Sequence, residues 1–178
     1  MTLPTSARLE PVPAKFEDSP DRWRWLWLAV PAVAGLVLGL AWWILAPGGL
    51  NLVSGNPGLA DPGAVAGRLP RDLVLAGLLL LAGCLTAVLL DAKISNPGQG
   101  IRVLLAVVGG LSGSFVAWQA GLLAAHLWGP AATGGNEGFT LRAMAVLLLW
   151  PGATALVSFL LTLFGLMGKQ QEARPTAP

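Results

Sequence analysis

Charge is the first thing this chain is short of. Only 11% of its 178 residues are charged, against about 25% in an ordinary soluble domain, so the chain cannot cover a globular surface with ionised groups. Tyrosine is absent, and histidine and cysteine occur once each. The single cysteine, Cys84, excludes an intramolecular disulfide and any multi-cysteine metal site. One histidine, His126, cannot supply a bis-histidine haem, and no phosphate-binding glycine loop or dinucleotide fingerprint is present. Lys and Arg number 11 and Asp and Glu 9, with no basic block interleaved with aromatics, so nucleic acid is not an expected partner. Hydrolytic and metal chemistry lack the side chains as well. Asp61, Asp72, Glu137 and His126 are scattered without motif spacing, and no enzyme, metal or cofactor is expected.

What the chain has is apolar length. Hydrophobic residues make up 54% of it and the mean hydropathy is +0.67. Four uncharged runs follow one another, at about 25–46, 73–90, 103–128 and 143–168. A helix needs about 20 apolar residues to cross a hydrocarbon core of about 30 Å, so each run predicts a transmembrane span, the second being the shortest. The expected fold is therefore all-α, an integral membrane four-helix bundle. Residues 23–168 form the membrane domain, residues 1–22 a disordered tail and 169–178 a second tail. The first run is too long for the apolar region of a cleaved signal peptide. Leu81-Ala82-Gly83-Cys84 has the form of a lipoprotein cleavage site but lies inside the second run, far from the N-terminus, and reads as part of a span.

Orientation follows from Lys and Arg alone. Arg8, Lys15, Arg22, Arg24, Lys93, Arg102, Lys169 and Arg174 fall on one side, and Arg68, Arg71 and Arg142 on the other. Both termini are thus expected in the cytoplasm. The triplet Asn-Pro-Gly at Asn56 to Gly58 and again at Asn96 to Gly98 is a turn signal. The first outer loop, Pro47 to Arg71, is longer than a helix connection requires, and any recognition on the aqueous side is expected there.

The strongest pattern concerns packing. Gly109, Gly113, Ala117, Gly121 and Ala125 recur every four residues along the third run, and Gly35 and Gly39 form a similar pair on the first. Lipid tails are as apolar as leucine, so helices in a bilayer associate through close approach on small residues. This face is expected to hold the bundle together or to receive a partner subunit. Tryptophan is the second pattern. Trp23, Trp25 and Trp27 sit beside Arg22 and Arg24 as an interfacial anchor, whereas Trp118, Gln119, Trp150 and Trp42 form a candidate pocket in the outer half. Its ligand would be a lipid, quinone or polyprenyl chain. No Asp, Glu, Lys or Arg lies within the four runs, so ion-coupled transport has no visible carrier. Thr86, Ser112, Ser114, Thr154, Ser158 and Thr162 are expected to bond backbone carbonyls one turn back. Pro31 and Pro151 are expected to bend their helices.

The stretch from Gly35 through Trp42-Trp43 to Pro47, together with Gly109-Gly-Leu-Ser-Gly113-Ser-Phe-Val-Ala117-Trp118-Gln-Ala-Gly121, resembles small four-helix membrane proteins of actinobacteria, over roughly residues 30 to 130. The resemblance implies a bacterial plasma membrane and brings with it no catalytic or binding residue. The function expected from all of this is a non-catalytic multi-pass protein, a scaffold or accessory subunit of an envelope or respiratory complex. Its partners would be the lipid bilayer, membrane-protein subunits or a second copy of itself. The alternative is a protein that binds or transports the apolar ligand named above.

Overall fold

The computed structural model describes the backbone of residues 20–92, 99–130 and 138–172, and the side chains of 29–92, 100–130 and 138–167. Residues 1–19 and 173–178, the second Asn-Pro-Gly at Asn96 to Gly98, and Glu137 lie outside the described residues, as do the side chains of Trp23, Trp25 and Trp27. Four long helices follow one another: α1 (Pro20–Leu45), α2 (Val65–Asp91), α3 (Gln99–Trp128) and α4 (Leu149–Glu172). No strand occurs among the described residues. The stretches Val65–Asp91, Gly100–Trp128 and Met144–Met167 are long and apolar enough to cross a membrane, while the described apolar part of α1, Ala29–Leu45, is shorter.

The pairing of helices follows the small residues. α1 packs chiefly on α3, α2 on α4, and α3 also meets α4, whereas α1 and α2 touch sparingly. Gly35 of α1 lies against the backbone carbonyl of Gly113, and Gly39 against that of Ala117, so closely that neither position has room for a methyl group. The contacts rise together in residue number, which means that α1 and α3 run parallel. Gly109, Gly113, Ala117 and Gly121 are buried and Ala125 partly so, and the predicted small-residue face is thus the seam of the bundle. Two tryptophans fill its notches. Trp42 lies on Gly121, and the Trp150 ring lies over Gly110 and Gly113, where a methyl group on Gly113 would come 2.7 Å from Trp150 Cζ3. On the other pair a methyl group on Gly83 of α2 would lie 2.6 Å from the Trp150 carbonyl oxygen of α4.

Hydroxyls behave as the spacing predicts. Thr86, Ser114, Thr154 and Thr162 donate to the carbonyls of Ala82, Gly110, Trp150 and Ser158 four residues earlier, and Ser112 donates to Gly109 three earlier. Ser158 is the exception, since its buried Oγ has no partner among the described residues.

Element boundaries differ from the run boundaries in all four helices, and α1 begins at Pro20, inside the stretch 1–22 expected to be a disordered tail. α2 begins at Val65, not near residue 73, because Arg71 and Asp72 in its second turn are buried and bonded rather than solvated. α3 begins at Gln99, so Arg102 belongs to a helix rather than to the loop that its charge suggested. The last run opens as a 3-10 helix, Met144–Leu148, before α4 starts at Leu149. Pro151 accordingly sits in the first turn of α4, where a missing N–H leaves no hydrogen bond unmade, and it does not kink the helix interior. Pro31 is inside α1. α4 also continues to Glu172, past the residue where the C-terminal tail was expected to begin.

Gly113→Leu is expected to destabilise the bundle by about 1 to 3 kcal/mol or more, because the side chain would be forced into backbone and an indole ring, and Gly113→Ala by less. Gly77 is exposed on α2 and has no neighbour within 4 Å, so Gly77→Leu is expected to be neutral or slightly stabilising. Thermal unfolding of the two leucine variants in the same detergent compares them, and equal melting temperatures would remove the seam from this account.

Candidate functional site

Two features stand out against the packed seam: a latch at the end where α1 stops and α2 starts, and a cleft towards the end where α1 starts.

The latch grows from the connection after α1. Leu50, Leu52 and Val53 donate their backbone N–H groups to the carbonyls of Trp43, Ile44 and Leu45, which satisfies the unpaired carbonyls of the helix end. Doubling back requires left-handed backbone at Gly48 (φ 81°) and Asn51 (φ 58°), and asparagine tolerates that region because its amide can bond locally. Here Asn51 Nδ2 donates to the Asn56 carbonyl at 2.9 Å. Asn56 caps the short 3-10 helix Pro57–Leu59 by accepting from Gly58 N at 2.9 Å, so the first Asn-Pro-Gly is the turn that its sequence predicts.

Arg71 closes the latch. Only 1% of it is exposed; its Nε donates to the Pro47 carbonyl and its Nη2 to the Pro62 carbonyl, both at 2.9 Å. The guanidinium carbon stands 4.7 Å from the centre of the Phe139 ring, and that ring tilts against Trp42 with centroids 4.6 Å apart. Trp42 Nε1 in turn donates to the Arg71 carbonyl at 2.9 Å. Asp72 holds the segment before α4 by accepting from Ala143 N at 3.0 Å and, more loosely, from Arg142 N at 3.5 Å. Sequence reading counted Arg71 and Asp72 as loop charges. The available signal was an Arg-Asp pair set directly against an apolar run, where an unbonded charge is expensive. A smaller cavity of about 460 Å³ adjoins the latch, with Gly48, Leu122, His126 and Phe139 among its walls.

The cleft is larger, about 840 Å³. Val30, Ala34 and Val37 of α1 form one wall and Leu78, Leu81, Leu85 and Leu89 of α2 the other, while Ala106 and Gly110 of α3 and Trp150 of α4 make the floor. It exists because the small residues of α1 face α3 and those of α2 face α4, so no pair of glycines draws α1 onto α2. Its polar groups are few. Thr86 Oγ1 already donates to Ala82 O and accepts from Trp150 Nε1 at 3.1 Å. The remaining one among the described residues is Arg102, half-buried at one end of the cleft.

The four residues of the predicted outer pocket are not assembled into one. Trp42 is fully buried in the latch and Trp150 is 3% exposed in the seam. Trp118 is half-buried, stands edge-on to Phe115 at 5.6 Å and has an Nε1 without a partner among the described residues, while Gln119 is exposed. Of the four, only Trp150 lines the cleft. No three His, Cys, Asp or Glu side chains gather at one place among the described residues. Compared with known proteins, the chain matches no family model, no curated protein and no solved structure.

The latch yields a direct test. Arg71→Met leaves two buried carbonyls without their donor and removes the ring contact, an expected loss of about 2 to 4 kcal/mol. Arg71→Lys is expected to recover only part of it, because an ammonium cannot reproduce the two-pronged geometry. Arg68, less buried on the same helix, serves as the control, and Arg71→Met melting no lower than Arg68→Met would refute the latch.

Proposed function

We propose that this chain is a non-catalytic multi-pass membrane protein that holds a lipid-type amphiphile in the cleft between α1 and α2. The observation that carries the reading is the cleft itself. Its volume lies within the range of about 300 to 1,000 Å³ usual for ligand sites, and apolar walls with one or two polar groups are their usual make-up. Its length fits as well. From Leu78 to Leu90 an α-helix rises about 18 Å, close to half of a hydrocarbon core of about 30 Å, so the cleft matches the acyl region of a single leaflet. A partner helix crossing the whole bilayer would find only half its length accommodated.

A scaffold or accessory subunit of a larger complex would need a free face suited to close helix packing. The small-residue face of α3 is occupied within the bundle by α1 and Trp150, and that favours the ligand-holding reading. The ligand site moves with it, from the Trp118 and Gln119 region to the α1–α2 cleft. The surroundings proposed are a bacterial plasma membrane with both termini in the cytoplasm. The Lys and Arg distribution supports that orientation, and α1 through α4 bring Arg22, Arg24, Arg102 and Lys169 to the same end of the bundle.

Filling the cleft from either wall tests the proposal. Wild-type protein drawn from lipid nanodiscs into mild detergent is expected to retain lipid in native mass spectra, whereas Ala34→Phe and Ala82→Phe retain markedly less while keeping the helical far-ultraviolet spectrum. Equal retention by all three proteins, or none by wild type, would overturn the assignment.

A further inference from the structure

We infer that the occupant of the cleft is an acidic phospholipid from the leaflet nearest the start of α1, its acyl chain lying between α1 and α2 and its phosphate on Arg102. This rests on the cleft being a ligand site and adds the chemistry of the headgroup. Among the described residues, Arg102 is the single charged one in the cleft walls. It lies in the first turn of α3 and shares the cleft lining with Leu89 and Leu90 at the end of α2 and with Val30 of α1, so it marks one mouth of an otherwise apolar channel. No hydrogen bond or ion pair ties its guanidinium to another described residue, and the neighbouring Asp91 is exposed. The two charges of this kind inside α2 are treated differently: Arg71 is bonded to two carbonyls and Asp72 to backbone N–H groups. A half-buried guanidinium without such partners, at the depth where hydrocarbon gives way to headgroups, matches a phosphate, whose oxygens accept two parallel N–H bonds from an arginine.

Net charge decides between headgroups. A zwitterionic lipid brings its own cation close to its phosphate and leaves the arginine partly uncompensated, whereas an acidic lipid does not. The turns of α1 that hold Arg22 and Arg24 and the turn of α4 that holds Lys169 lie at the same end, and an anionic leaflet surface attracts basic residues there. A fatty acid would offer the same anion without a second chain, and the experiment separates the two.

The full-length protein is reconstituted into nanodiscs containing equal amounts of phosphatidylglycerol and phosphatidylcholine, then transferred to mild detergent, and retained lipid is identified by mass in native spectra. Wild type is expected to retain phosphatidylglycerol over phosphatidylcholine by about fivefold, the factor that corresponds to one arginine near an anionic surface. Arg102→Gln is expected to keep a bound lipid with the preference reduced to near parity, and Arg102→Lys to keep part of the preference. Lipid retained by wild type without headgroup preference, a preference unchanged in Arg102→Gln, or retained mass equal to a free fatty acid would each overturn the headgroup assignment while leaving the cleft as an apolar site. Absence of any retained lipid in wild type would overturn both.

Discussion

The contact on which the rest depends is the approach of two backbones, Gly35 and Gly39 of α1 against the carbonyls of Gly113 and Ala117 of α3. In a bilayer, burying an apolar side chain against another helix gains little, because lipid solvates it equally well. What remains is dispersion between surfaces that fit, and this grows as the axes close in. Glycine at the four-residue repeat allows that closeness without displacing anything. The same row of notches then receives Trp42 and Trp150 as large rigid inserts, and Trp150 carries α4 onto α3. Because α4 holds α2 at Gly83, the position of α2 is set indirectly. The gap between α1 and α2 follows from this chain of contacts: each of the two helices spends its small residues on a different partner.

The latch answers a second constraint, the cost of putting charge and loop backbone beside a membrane domain. Arg71 and Asp72 enter α2 as helical residues because Nε and Nη2 of Arg71 are bonded to the Pro47 and Pro62 carbonyls and the Asp72 carboxylate to the backbone before α4. The Phe139 ring covers the guanidinium and Trp42 packs on that ring in turn, an arrangement that strengthens as water is excluded. The latch therefore fixes the long connection after α1 and joins it to the segment that leads into α4. Leu50, Leu52 and Val53, more than half exposed, are left on the outer surface of that connection.

The class of fold was legible in the sequence because it depends on quantities that single runs contain: apolar length, scarcity of charge and the four-residue repeat of small side chains. The seam was legible for the same reason, since a stripe on a helix is a local property. The cleft was not, because it is defined by which helices do not meet, and pairing is a property of the assembly. Trp42 and Trp150 looked available for a ligand, yet an indole that finds a glycine notch is worth more there than lining a pocket. Arg71 and Arg102 both stand at the edges of apolar runs, where the sequence pattern makes them loop charges. A charged residue ends such a run in sequence whether or not it ends the helix, and only the partners of the side chain distinguish the two cases. Arg71 has them within the protein, and Arg102 has none among the described residues.

The spacing of α1 from its two neighbours decides whether the seam and the cleft both exist, and isotope labelling reads it without altering a side chain. Magic-angle-spinning NMR of the protein in lipid bilayers, with glycine labelled at both carbons, reports contacts between Gly Cα and carbonyl carbons on different helices. The expected result is a cross-peak between Gly35 Cα and the Gly113 carbonyl carbon, with none between α1 and Gly77 or Gly83 of α2. Loss of the first together with strong contacts between α1 and α2 would contradict the seam and close the cleft that it leaves open.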